Sequence, residues 1–193
     1  MGDPKRPRKK YSTPKHPWQR ARIEAERELV DAYGLHNKKE IWKMASVLRK
    51  FSRQAKKLAA VKSSQAEIER AHLLKKAQNL GLLKEGSKVD DILTLSIHDV
   101  MNRRLQSLVC RKNLARSMPQ ARQFIVHEHI TVADRKINSP SYIVPVAEEP
   151  LIGFDSSSTL FSAEHPERII LEPKAKKKRK VIRKENKGRR KNG

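Results

Sequence analysis

The chain has 193 residues with 44 Lys+Arg against 21 Asp+Glu, a formal net charge of +23, and 37% hydrophobic and 5% aromatic residues. That length suits one domain with a smaller companion, and the apolar share allows only a modest core. Charge of this size disfavours compaction unless a polyanion supplies counter-charge, a lone Cys110 excludes an intramolecular disulfide, and no apolar run is long enough to span a membrane.

The charge is concentrated at the ends. Residues 1–22 hold eight Lys/Arg and one Asp, residues 174–193 hold twelve and one Glu, and the whole middle carries only +5. No apolar stretch follows "MGDPKRPRKKYSTPKHPW", so it does not read as a secretory signal, and a soluble intracellular protein is expected. Both tails read as disordered when free and ordered along phosphates when bound. The cluster "KKKRKVIRK" also fits the composition of a nuclear localisation signal.

Between the tails the punctuation is helical. Trp18 to Tyr33 is helix-prone, with Gly34 as a stop. Asn37 and Glu40 have capping-box spacing and open a long helix. Its Ile41, Met44, Leu48, Phe51, Ala55 and Leu58 fall on one stripe about 100° wide. Lys39, Lys43, Lys50, Arg53 and Lys57 fall roughly opposite, and no acid occurs between Glu40 and Glu67. A helix needing only solubility would mix signs and gain i,i+4 pairs, so this stripe is read as phosphate-facing.

Ser64 and Glu67 suggest a second capping box, for a helix through Leu80 that Gly81 ends. Asp90 or Asp91 starts a small helix, as acids at a helix N-terminus do, not as a catalytic pair. Ser96 and Asp99 open a helix expected to run from Ile97 to Lys112. Its buried side is Ile97, Met101, Leu105 and Leu108, with Val100, Arg104 and Arg111 on the flanks. Asn113 occupies the left-handed terminating position. Ser117 caps the next helix, with Pro119 in its first turn and Gln120 able to return a hydrogen bond. Ala121, Phe124 and Ile125 should face inward, and Arg122 and Gln123 outward.

His129 to Ala133 alternates as a strand, a polar turn spans Asp134 to Lys136, and "NSPSYIVPV" reads as a second extended piece at a sheet edge, because of Pro145. The fold class is therefore α+β and predominantly helical. A basic extension (1–22) precedes a helical domain (23–96). A module of two helices on a small sheet with its following extended region (97–172) and a basic tail (173–193) complete the chain.

Residues 103–136 carry eight Lys/Arg against two acids. With few exposed aromatics, stacking on splayed bases is not expected to dominate, and structured RNA read by shape and backbone fits better. The RNA-facing set comprises the long helix's Lys39, Lys43, Lys50, Arg53 and Lys57. In the module it comprises Arg103, Arg104, Arg111, Lys112, Arg116, Ser117, Gln120, Arg122, Gln123, His127, His129, Arg135 and Lys136. His127 and His129 lie two apart but lack a third ligand nearby, so no metal or cofactor is expected. Cys110 reads as a small buried hydrophobe, not a nucleophile.

The segment "RRLQSLVCRKNLARSMPQARQFIVHEHITVADRKINSPSYIVP" resembles the RNA-binding module of the small-subunit ribosomal protein S-four family. "YGLHNKKEIWKM", "GLLKEGSKVDDILTLSIHDVMNRRLQ" and the N-terminal segment resemble its archaeal branch, so the likeness covers most of residues 1–172. The resemblance implies a structural constituent that binds small-subunit rRNA early in assembly. It also implies contact with ribosomal protein S-five and a place near where mRNA enters. The N-terminal cysteine cluster of many bacterial relatives is absent, and Glu128 replaces the family's usual glycine between the two histidines. The other reading is an rRNA-processing or assembly factor carrying the same module. Relatives that add catalysis append a sizeable domain, for which residues 137–193 leave little room.

Overall fold

The structure is a computed structural model; it describes residue 2, residues 9–162 and residues 165–168. The C-terminal basic tail and most of the first eight residues, both read above as RNA-threading, lie outside the described residues.

Helix α1 (Arg20–Tyr33) ends where Gly34 turns left-handed at φ 56 and donates its N–H to the Val30 carbonyl. A side chain at Gly34 would also meet Met118 Cβ at 2.9 Å, so the same glycine permits close approach of the module. Helix α2 (Lys38–Ala60) is capped by Asn37, whose side chain accepts from the Lys39 N–H. Helix α3 (Ser64–Asn79) starts one residue earlier than expected at its cap: Ser63, not Ser64, accepts from the Ala66 N–H at 3.2 Å.

The apolar stripe of α2 serves two cores. Its first half, Ile41 and Met44, packs with Leu29, Tyr33, Leu35, Val100 and Met101. Its second half, Phe51, Ala55 and Leu58, packs with Ala66, Leu73, Ala77 and Ile92. Ile92 belongs to α4 (Asp91–Thr94) and Val100 and Met101 to α5 (Ile97–Asn102), which Ser96 and Asp99 close with a capping box.

The helix expected over Ile97–Lys112 is two helices. It breaks at Arg103 and Arg104, and α6 runs Leu105–Arg111. The cause is a neighbouring extended segment that captures the backbone. Val144 donates to the Arg103 carbonyl at 3.1 Å, Leu105 donates to Tyr142 at 2.8 Å, and Arg104 bridges Ile143. The "SYIVP" stretch is therefore extended as expected, but it meets this break and not the sheet.

Helix α7 (Met118–Val126) follows, with Ser117 accepting from the Gln120 N–H and proline in the first turn. Strand β1 (Ile130–Val132) lies between β2 (Arg135–Lys136) and β3 (Ile152–Phe154), antiparallel to both. Ala133 and Asp134, at φ 48 and 62, form the two-residue hairpin turn whose twist suits paired strands. His129 falls just outside β1. The module core holds Leu105, Leu108, Val109, Ala121, Phe124, Ile125, Ile130, Val132, Val144, Ile152 and Leu160. An α+β fold, predominantly helical with one small sheet, is what the sequence implied.

Candidate nucleic-acid interface

The two faces expected to grip RNA have different fates. On α2, Lys39, Lys43, Lys50, Arg53 and Lys57 are all exposed, and among the described residues none makes an ion pair. Beside them the N-terminal segment returns to the helix: the Ser12 N–H donates to Ser46 Oγ at 3.2 Å, and the Tyr11 and Trp42 rings lie 6.4 Å apart. Between segment and helix is a cleft of about 410 Å³, lined by Lys9, Lys10, Arg49, Lys50 and Arg53. Sequence pattern does not single out Arg49, because its place beside the stripe becomes visible only once the N-terminal segment is laid on the helix.

In the module the arginines turn inward. Arg104 is 1% exposed and paired through Nη2 with Glu40, the third residue of α2. Arg122 donates two bonds to the same carboxylate, Nη2 to Oε1 at 2.8 Å and Nη1 to Oε2 at 3.3 Å. Glu40 therefore does not complete the capping box with Asn37; it joins α2 to the module. Burial would raise its carboxyl, but the bonds from Arg122 and Arg104 outweigh that and hold it below the usual carboxylate range. Arg103 donates from Nη1 to Glu149 at 2.6 Å and from Nη2 to the Val144 carbonyl at 3.0 Å. Arg122, expected to point outward, instead binds Glu40, and Arg103 and Arg104, expected among the RNA-facing residues, are buried in ion pairs. A buried guanidinium needs partners, and acids distant in sequence supply them.

The remaining module residues divide. Arg111, Gln123, His127 and Arg135 are exposed. Lys112 Nζ binds the Glu149 carbonyl, and Arg116 Nη2 binds the Pro166 carbonyl. Ser117 is occupied by its cap, and Gln120 accepts from the Arg116 N–H at 2.8 Å while its amide reaches the Glu167 carbonyl at 3.5 Å. Lys136 pairs with Asp155 at 2.7 Å. His129 Nδ1 meets Ser158 Oγ at 2.8 Å. Glu128 has φ 60, so the position of the family's glycine is indeed left-handed.

A residue no pattern announced knits the two parts. Gln106, 1% exposed, donates from Nε2 to the carbonyls of Tyr33, Gly34 and Met118 at 2.9 to 3.3 Å. It ties the end of α1 to the start of α7. Cys110 is half-buried, and burial pushes its thiol up, away from the reactive thiolate.

Outward cations on a rigid helical frame, braced through Glu40 to a compact helix-pair-on-sheet module, are the build of a small polyanion-binding protein. Comparison with known proteins makes this specific. Residues 103–149 match the S4 domain. The chain is 53% identical over 169 residues to small ribosomal subunit protein uS4 of Methanococcus aeolicus, covering 87% of this chain and 96% of that one. It is 46% identical over 160 residues to the uS4 protein of Methanothermobacter thermautotrophicus (83% and 94% covered). Against that of Ignicoccus hospitalis it is 45% identical over 161 residues (83% and 97%). The chain belongs to the uS4 family of small ribosomal subunit proteins.

Proposed function

We propose that this chain is a structural, non-catalytic constituent of the small ribosomal subunit that binds its rRNA directly and helps nucleate assembly. The observation that carries the reading is the α2 stripe with its adjoining cleft. Seven cations, Lys9, Lys10, Lys39, Lys43, Arg49, Lys50 and Arg53, border one side of a rigid helix and its N-terminal strap. Lys57 extends the row. In the module the contact set narrows to Arg111, Gln123, His127, His129 and Arg135, with Lys112, Arg116, Ser117, Gln120 and Lys136 acting as supports of that surface. Arg103, Arg104 and Arg122 act by fixing the scaffold. Contact with ribosomal protein S-five, proximity to entering mRNA, a role in translational accuracy and a cytoplasmic location follow from the family resemblance and belong to the same reading.

The test is a titration of small-subunit rRNA against salt. With six or more phosphates neutralised, affinity should fall at least ~10³-fold between about 50 and 200 mM salt. Replacing Lys43, Lys50, Arg53 and Lys57 together by Ala should weaken binding and flatten the salt slope by roughly one per lost phosphate contact. It should leave the melting temperature unchanged, since all four side chains are exposed and, among the described residues, none is ion-paired. A flat salt titration in the wild-type chain would sink the proposal. So would loss of the protein from purified subunits during a high-salt wash, the behaviour expected of a processing factor.

A further inference from the structure

Where α7 ends, Gln123, His127 and His129 of the module's contact set line a cleft of about 270 Å³. Its floor is Leu160 and the edge of Phe124, both buried. One wall is the strained turn after α7: Glu128 at φ 60 brings the His127 and His129 rings into a stack, 25° between planes and 6.1 Å between centroids. A non-glycine residue held left-handed costs energy, and such strain persists where the surroundings impose it. His129 in turn meets Phe124 edge-on at 84° and 6.3 Å.

The opposite wall is the segment 165–168, which is fastened to the module. The Pro166 and Glu167 carbonyls accept from Arg116 and Gln120, and the Arg168 guanidinium lies over the Phe154 ring at 4.6 Å while donating to the Phe161 carbonyl at 2.6 Å. This fastening brings His165 and Glu167 to the cleft that the two stacked histidines also line.

The polar chemistry is selective. The Glu167 N–H donates to His165 Nδ1 at 3.3 Å. A backbone amide can only donate, so Nδ1 is the acceptor and neutral His165 carries its proton on Nε2. His129 Nδ1 is likewise occupied by Ser158 Oγ, at 2.8 Å, and among the described residues its Nε2 has no hydrogen-bond partner. The residues that line the cleft thus include imidazoles suited to stacking, an amide in Gln123 and a carboxylate in Glu167. A carboxylate repels a nearby phosphate but accepts N–H groups from a base edge. Of the four bases, guanine alone presents two adjacent donors, N1–H and N2–H₂, that a carboxylate can accept together.

We infer that this cleft is a subsite for a single unstacked guanine, gripped by stacking on His127 and His129 and read by Glu167. The inference rests on the RNA-binding reading above and adds one position of base recognition to a surface otherwise suited to backbone and shape.

Neutral nucleosides separate this site from the basic faces, because they carry no phosphate. Guanosine, adenosine, cytidine and uridine, and inorganic phosphate as a control, are titrated into the full chain while the histidine ring resonances are followed by NMR. Guanosine should shift the signals of His127, His129 and His165, with affinity roughly tenfold or more above the other three nucleosides. Glu167→Gln, a change at an exposed side chain, should abolish that preference while weak stacking persists. Equal shifts from all four nucleosides overturn the guanine assignment. Shifts from phosphate alone, or none from any nucleoside, overturn the subsite. Parallel titration of rRNA keeps the two readings distinct: RNA binding with silent nucleosides defeats only this inference, whereas absent RNA binding defeats the reading beneath it.

Discussion

Helix α2 and the module present cations of the same apparent kind, yet the molecule uses them oppositely. Lys43, Lys50, Arg53 and Lys57 stand on the outer side of a 23-residue helix whose inner stripe packs into two cores, and among the described residues none of the four makes an ion pair. Arg103, Arg104 and Arg122 sit on or beside short helices packed against other elements, where Glu149 and Glu40 meet them. The lesson is that a basic residue's role depends on where acids distant in sequence arrive. Planar guanidinium groups with several donors suit the buried pairings, and the cations left outside are mainly lysines, whose compact ammonium groups are strongly hydrated.

The comparison breaks most visibly at Glu40. Glu40→Ala leaves Arg104 buried and without its carboxylate, a loss expected to cost ~3–5 kcal/mol of stability. Chemical denaturation measures it directly. A loss below ~1 kcal/mol would show that water replaces the carboxylate and that the pairing contributes little to the frame.

A smaller effect is expected at Arg122. Arg122→Ala removes two charge-assisted bonds from the half-buried Glu40 and should lower stability by ~1.5–3 kcal/mol. The reading of Arg122 as an outward residue implied the opposite, reduced RNA affinity with an unchanged melting temperature. A melt of this single variant decides which region Arg122 belongs to in function.

Acid sharpens the same contrast. Glu40 is held below its ordinary value near 4.5 in the folded chain. A depressed carboxylate contributes stability that is present above the unfolded value and is lost as pH falls through the folded one. The stability gap between the wild-type chain and Glu40→Gln should therefore be constant near neutrality and shrink as pH falls below about 4.5. Asp155, also depressed by its bond to Lys136, titrates in both proteins and cancels in the difference. A gap independent of pH would mean that the Glu40 charge is not what binds α2 to the module.

Local signals in the sequence were legible because local physics decides them. Period 3.6 located the α2 stripe, and Gly34, Asn37, Asn113 and Ser117 each occupy the cap or left-handed position their chemistry favours. The break at Arg103–Arg104 was not legible, because it depends on backbone bonds from Tyr142 and Val144, some forty residues away. For the same reason Gln106 and the triad around Glu40 escaped pattern reading. Glu40 looked like half of a capping box by spacing, and only packing of the module against α2 supplies the stronger partners. The third strand, Ile152–Phe154, is too short for periodicity and is specified by its pairing with β1.

The smallest expected effect concerns the turn that both readings of the module share. Glu128 at φ 60 occupies a backbone region that costs an ordinary L-residue about 1–2 kcal/mol. Glu128→Gly removes that strain and forfeits, among the described residues, a 3.4 Å hydrogen bond from Asn138 at an exposed site. Glycine also widens the unfolded ensemble, which offsets roughly 0.5–1 kcal/mol of the gain. The net expectation is a stabilisation of up to about 1 kcal/mol, read as a rise of a few degrees in melting temperature. The two contributions have opposite signs, so the sign of the change is informative: destabilisation would mean that Glu128 is held by contacts stronger than the Asn138 bond. RNA affinity supplies the second readout. Removing a negative charge beside His127 should raise it slightly and most at low salt, where screening is weakest. A fall in affinity at every salt concentration would show instead that the strained geometry, with its two stacked imidazoles, is itself needed for binding.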